Sequence, residues 1–313
     1  MISIGATVRN LALLALALPG LCAAAVYPLP PADVDIIGEV KTVKVREGET
    51  LLDIGRRYGV GYEEMRQANP GVDMWVPEPG TEITLPLRRI LPSGPREGIV
   101  LNVAEMRLYY YPPAAKGAPA TVETYPVSIG RMDWKTPLGV TKIVAKQKNP
   151  VWYLTENIKK EWRADGRNPP DFIPPGPDNP LGEHVLRLGL PTYLIHGTNN
   201  PWGIGMRVTH GCVRMYPEDI ASLYDRVPVN TTVRIINEPV KVGWFAGQLY
   251  VEVHQELEEN QPGTGQPELV KSVVEKVAAE LDRFSDVRVD YQRIRRAASE
   301  RMGIPVVISR QES

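Results

Sequence analysis

The residues best placed for chemistry lie between Tyr193 and Ile220, where His196, His210 and Cys212 stand among Gly197, Gly203, Gly205 and Gly211. A thiol of pKa about 8.5 is only partly ionised at neutral pH, and it attacks well once an imidazole takes its proton. Glycines let substrate and backbone approach closely. The stretch therefore has the makings of a cysteine nucleophile for acyl transfer. His196 is the candidate base, because residues 192–195 read as a strand that fixes it while Cys212 sits on the returning segment. No Asp lies close in sequence to orient His196, so a backbone carbonyl, that of Gly197, or a remote side chain must do so. Backbone N–H groups at Gly211 and Cys212 are candidate oxyanion donors, a contact worth about 3 to 4 kcal/mol per donor.

The other polar residues leave alternatives open. Cys212 as an inert buried thiol is disfavoured by its polar, glycine-lined neighbours. His210 either supports the site or moves protons itself. Zinc held by His196, His210 and Cys212 is not expected, since no fourth ligand is evident and His-Gly-Cys is not a usual chelate. Neither a metal nor another cofactor is called for. If residues 210–214 are extended, His210, Cys212 and Arg214 share a face. Arg214 then holds a substrate carboxylate or pairs within the fold. Thr209 and Trp202 are further candidate substrate contacts, whereas His184 and His254 read as surface or packing residues.

The elements that must position these residues are mostly strands. Residues 99–103 and 107–111 read as a hairpin, 122–129 alternate, and 136–139 turn into a strand over 140–145. Residues 217–226 read as a helix, with Pro217 in its first turn and Glu218 and Asp219 at its positive end. Residues 159–171 read as a polar surface insertion, and 174–180 as a loop that either walls a substrate cleft or merely connects. Strands with turn punctuation and little helix predict a mainly β protein with a sandwich or barrel core over 97–237. Two smaller units flank it. Over 41–87, a strand, a helix capped by Thr50, a second helix near 62–68 and a closing strand make a small α+β unit. Over 238–313, a strand-like run at 244–254, a polar linker at 258–267, an apolar stripe from Leu269 to Leu281, an arginine-bearing helix near 291–302 and a strand near Val306 predict an α/β accessory region. Its arginines form a solvated face or a surface for an acceptor protein or anionic polymer.

Composition narrows the partners. Lys plus Arg (36) nearly cancels Asp plus Glu (37), which removes the electrostatic argument for a nucleic-acid partner. The 30 prolines against 3 phenylalanines suit strands and structured loops better than long helices. Residues 1–25 have the anatomy of a secretory signal: Arg9, a short apolar run over 11–18, Pro19-Gly20, then Ala23, Ala24 and Ala25. An uncleaved anchor or acylation at Cys22 are the alternatives, although Leu21 stands where a lipobox wants a small residue. Cleavage after Ala24 or Ala25 removes Cys22 and leaves Cys212 as a lone thiol where disulfides are permitted. Residues 26–40 read as a tether or a packed entry strand.

Two family resemblances follow from these motifs. Gly48-Glu49-Thr50-Leu51, Tyr58-Gly59-Val60, Ala68-Asn69-Pro70 and Ile83-Thr84-Leu85-Pro86 make residues 41–87 resemble the LysM module, which implies binding of N-acetylglucosamine-containing glycan and hence of peptidoglycan. His196-Gly197, then Thr209-His210-Gly211-Cys212-Val213-Arg214-Met215, with supporting matches at 99–106, 136–139 and 179–182, resembles the catalytic signature of the L,D-transpeptidase (YkuD-like) family over about 97–237. The resemblance implies a β-sandwich catalytic domain and a thioester on Cys212. That thioester would form at the third residue of a tetrapeptide stem, meso-diaminopimelate, with release of D-alanine. The three-part layout is similar to the enteric branch of the family, which implies a periplasmic enzyme. Its amine acceptor is then the lysine of an outer-membrane lipoprotein or another stem, giving a 3-3 crosslink. Water as acceptor would make an L,D-carboxypeptidase, and an inactive catalytic fold would leave a wall-binding protein.

Overall fold

The computed structural model describes residues 25–257, 266–281 and 287–310. The signal-like segment 1–24 and most of the linker at 258–267 lie outside the described residues. Nine strands form one curled sheet in the edge-to-edge order Ala25–Pro28, Thr121–Pro126, Arg107–Tyr111, Gly98–Asn102, Thr232–Ile236, Gly139–Lys148, His184–Leu188, Leu194–His196 and Val213–Arg214. The mainly β expectation holds. Neighbours are antiparallel except at two places, where 232–236 runs with 98–102 and 194–196 runs with 213–214. Alternation explains the core, because Ile99, Leu101, Leu108, Tyr110, Ile143, Leu186, Ile195 and Val233 all point to one side and are almost fully buried. The opposite face of the first strands is also covered, by Tyr27, Leu29, Ile37 and Leu91. Within 26–40, residues up to 28 pair with 121–123 at the sheet edge, and 36–37 pair with 89–90.

The flanking units follow their patterns. In the first, Val40–Lys44 pairs with Glu82–Pro86 around α1 (Leu51–Tyr58) and α2 (Tyr62–Ala68). Thr50 accepts from the Asp53 N–H at 3.1 Å, and Gly59 ends α1 in the left-handed region. Residues 159–171 lie at the surface as expected, and α3 (Glu156–Ala164), capped by Thr155, occupies the first part of the segment and packs beside the candidate site. A further helix, α4 (Pro217–Arg226), lies where expected. The C-terminal strand-like run is a hairpin, Val240–Phe245 with Gln248–Val253, whose turn at Ala246-Gly247 interrupts what reads as one apolar segment. Helices α5 (Gln266–Leu281) and α6 (Tyr291–Glu300) pack on it through Val273, Val277 and Ile294. Among the described residues no helix is long and apolar enough to cross a membrane.

Buried charge joins the first unit to the sheet. Glu64 of α2 accepts from Arg107 Nε at 2.9 Å and Nη2 at 2.6 Å, lies 3.0 Å from Arg89 Nη2, and also accepts from the Gly61 N–H at 2.8 Å. Burial alone would raise the Glu64 carboxyl, but the two guanidiniums and these hydrogen bonds outweigh it and hold the group below its ordinary 4.5. This contribution to stability is therefore present above that value and is lost as pH falls below it. Removing one member strands a buried charge. Glu64→Ala should cost about 3 to 5 kcal/mol in denaturant unfolding, whereas Glu63→Ala, whose partner Arg66 is exposed, should cost less than about 1 kcal/mol.

Candidate active site

The parallel pairing sets Ile195 opposite Val213 and His196 opposite Arg214. Ile195 and Val213 enter the core, so His196 and Arg214 occupy the other face. The backbone of Arg214 is held on its far side by Ser128, with bonds of 2.9 and 2.8 Å. Cys212 comes one residue before this strand. Its sulfhydryl donates to the Thr192 carbonyl at 3.5 Å, and the Leu194 N–H also lies against the sulfur.

Residues 210–214 are not extended throughout. Gly211 has φ +97°, and a Cβ there would stand 2.8 Å from Tyr193 Cε1, so the chain bends at a place only glycine fits. The strand argument grouping His210 with Cys212 and Arg214 therefore fails. His210 turns instead to α3, with Nε2 at 2.9 Å from Glu161 and its ring edge-on to Trp134. The Thr209 hydroxyl closes the bend, donating to the Cys212 carbonyl at 2.6 Å and accepting from the Gly211 N–H at 3.2 Å. Thr209, almost fully buried, braces the turn that carries Cys212. The Gly211 N–H thus already has an acceptor in the Thr209 hydroxyl. Trp202 lies half exposed on the short turn Pro201–Gly203.

Burial leaves the imidazole and the thiol uncharged at rest. The His196 Nδ1–H donates to the Gly197 carbonyl at 2.7 Å. A carbonyl only accepts, so Nε2 keeps its lone pair. Burial and then the Arg214 cation depress the imidazole to about 3. Burial pushes the Cys212 thiol up to about 11, against the pull of the Leu194 N–H and Arg214. Arg214 itself is lowered by burial, and its Nε is buried without a hydrogen-bond partner. Away from the site, Glu105, Glu252 and His254 have the spacing of metal ligands. The Lys241 ammonium, 2.9 Å from each carboxylate, already stands where a cation would sit.

The neighbouring unit reaches the site directly. The Tyr62 and Glu63 N–H groups, which open α2, donate to the Ile204 and Gly205 carbonyls at 3.0 and 3.2 Å. Gly205 is required there, because a Cβ would stand 2.2 Å from the Tyr62 nitrogen. Arg56 of α1 makes a two-pronged bond to Glu218 of α4 at 2.8 and 2.9 Å. A cleft of about 630 Å³ runs between α2, residues 104–106, 131–133, 206–208 and 254–257. Cys212 and His196 do not line it.

Residues 96–235 match the L,D-transpeptidase catalytic domain (YkuD), and residues 43–86 match the LysM domain. Probable L,D-transpeptidase YcfS of Escherichia coli K12 is 41% identical over 308 residues, which cover 96% of this chain and 93% of that protein. The chain belongs to the L,D-transpeptidase family. Two further E. coli K12 relatives agree with this: Probable L,D-transpeptidase ErfK/SrfK is 42% identical over 91% of each chain, and Probable L,D-transpeptidase YbiS is 40% identical over 93% of this chain and 95% of its own. This L,D-transpeptidase is accordingly an acyltransferase with a LysM domain before its catalytic domain.

Sequence reasoning missed Glu161, Arg131 and Trp134, which surround His210 in space but sit far from it in the chain. The Thr155 cap with Ile158 and Trp162 at helical spacing was the available signal for α3.

The two perturbed groups predict a stability profile. A His196 that stays neutral to about 3 while the unfolded chain protonates near 6.5 loses stability as pH falls through that interval. A Cys212 that keeps its proton to about 11 against 9.0 unfolded loses stability as pH rises through that one. In denaturant unfolding at several pH values, His196→Gln should flatten the acid limb relative to the unsubstituted protein and leave the alkaline limb in place.

Proposed function

We propose that this protein is a periplasmic peptidoglycan L,D-transpeptidase in which Cys212 is the nucleophile and His196 the proton carrier. The observation that supports the reading is the parallel pairing of 194–196 with 213–214, which sets His196 opposite Arg214, whose Nε is unsatisfied, with Cys212 one residue before the second strand. The donor is a tetrapeptide stem bound with its third residue, meso-diaminopimelate, at the sulfur. The Cys212 proton passes to His196 Nε2 as the sulfur attacks the carbonyl carbon. The Cys212 N–H meets the oxyanion. Collapse breaks the C–N bond, and His196 returns the proton to the departing D-alanine. A carboxylate of the stem pairs with Arg214, since a buried Nε without a partner is costly and an anion at that place relieves it. Trp202 borders the donor from the rim.

An amine then resolves the thioester. The acceptor is a lipoprotein lysine or a second stem, and the LysM unit over 41–87 keeps the catalytic unit over 97–237 on the wall by binding glycan. Export by residues 1–25 fits the fold, because cleavage after Ala24 leaves Ala25 as the first residue of a strand that pairs with 121–124.

Incubation with a disaccharide-tetrapeptide and an amine should give the amide product, and tripeptide alone would mean a carboxypeptidase. Mass spectrometry after a carbapenem should find one covalent adduct, abolished by Cys212→Ala. If that variant still forms crosslinks or attaches lipoprotein, the nucleophile is elsewhere. Arg214→Met should raise the KM for the tetrapeptide by roughly tenfold or more, the order expected for a lost buried charge pair of about 1.5 to 3 kcal/mol.

A further inference from the structure

The cleft of about 630 Å³ does not end at α2. A second cavity, of about 360 Å³, opens between residues 69–72 of the LysM unit and residues 299–301 at the end of α6. Arg66, Gln67 and Gln255 line both, so the two make one trough to which all three units of the chain contribute. Both walls are held from behind. Asn69 donates to the Met65 and Thr84 carbonyls at 2.9 Å each and accepts from the Thr84 N–H at 2.7 Å. On the facing side the Gly303 N–H, just past α6, donates to the Val253 carbonyl at 3.0 Å, and the next residue, His254, bonds Glu252 at 2.6 Å.

Two kinds of polar group line the smaller cavity. Among the described residues neither the Gln67 nor the Gln255 amide has a hydrogen-bond partner. An amide offers donors and an acceptor side by side, which complements the acetamide and hydroxyl groups of an amino sugar. Arg301 ends α6 in the left-handed region at φ 49°, a place that glycine takes most readily. The helix thus keeps a long cationic side chain where the backbone would prefer none. Its Nε donates to the Ala298 carbonyl at 3.2 Å, and among the described residues its guanidinium has no other partner. The adjacent acid, Glu300, is taken by Arg296 at 2.8 Å.

We infer that the trough holds one peptidoglycan strand, gripped by the LysM unit and the C-terminal unit together, with the two amides on its acetamido sugars and Arg301 on a carboxylate of a peptide stem. The inference rests on the reading above that the LysM unit binds glycan, and it adds the facing wall and the stem. A guanidinium meets a carboxylate through two parallel hydrogen bonds, which a sugar hydroxyl cannot match. Diffuse attraction to an anionic polymer is not available, because 36 basic residues stand against 37 acidic ones. Recognition therefore falls to particular groups, and the C-terminal unit supplies the cation.

The test measures equilibrium binding of the full chain, in a Cys212→Ala background that prevents turnover, to peptidoglycan strands carrying their stems and to the same strands stripped of stems by an amidase. Adding Arg301→Gly should weaken binding to stem-bearing strands about fivefold, the order of one partly screened charge pair, and leave binding to stripped strands within about twofold. The urea midpoint of that variant should not fall, because glycine suits the left-handed position, so the loss cannot be assigned to unfolding. Arg295→Ala, at an exposed arginine of the same helix that does not line the cavity, should leave both affinities within about twofold. Undiminished binding with Arg301→Gly overturns the inference, as does an equal loss toward stripped strands or with Arg295→Ala. If the chain with Arg301 and Arg295 intact binds neither kind of strand, the LysM reading falls instead.

Discussion

Leu194–His196 and Val213–Arg214 lie side by side in parallel, and the register of that short pairing is the constraint on which the site rests. Side chains alternate along a strand, so a slip of one residue would send His196 into the core and bring Ile195 out. The register is secured from several directions: apolar Ile195 and Val213 pull one face inward, the Ser128 bridge closes the far side of Arg214, and the Met215 N–H reaches the His196 carbonyl at 2.9 Å. A parallel pair needs a crossover between its strands. Here the crossover is the excursion over 197–212, so the chain that makes the pairing possible is also the chain that walls the site.

Charge is treated differently at the joints and at the site. Glu64 with Arg107 and Arg89, and Lys241 with Glu105 and Glu252, are fully buried but mutually paired, so each charge has its partner within the fold. Arg214 is partly buried, and its Nε is buried and unsatisfied. The buried ions where domains meet are thus paired, and the Arg214 Nε near the thiol is not. The neutral thiol and imidazole fit the same pattern, because the sulfur becomes a strong nucleophile only when its proton has somewhere to go.

Much of this was legible in the chain. Helix α4 announces itself through Pro217, Glu218 and Asp219, and α1 through the Thr50 cap and Gly59, because helix ends are read from local chemistry. The carbonyl that orients His196 was open to inference because no acid lies near it in sequence. What stayed hidden depended on distance or on one dihedral angle. The left-handed turn at Gly211 separates His210 from Cys212 although the alternation pattern would join them. The contact of Glu161 with His210 spans 49 positions and leaves no trace in spacing. The two backbone bonds of the Thr209 hydroxyl, to the Cys212 carbonyl and from the Gly211 N–H, likewise depend on that turn.

The hydrogen bonds from the start of α2 to the Ile204 and Gly205 carbonyls make the LysM unit less separable than its compact core suggests. Excising it would uncover Arg107 without Glu64 and leave two carbonyls of the catalytic excursion unpaired. A shortened chain with weak turnover would therefore report damage to the transpeptidase itself, and glycan affinity in this molecule is better measured by surface substitutions on an intact chain.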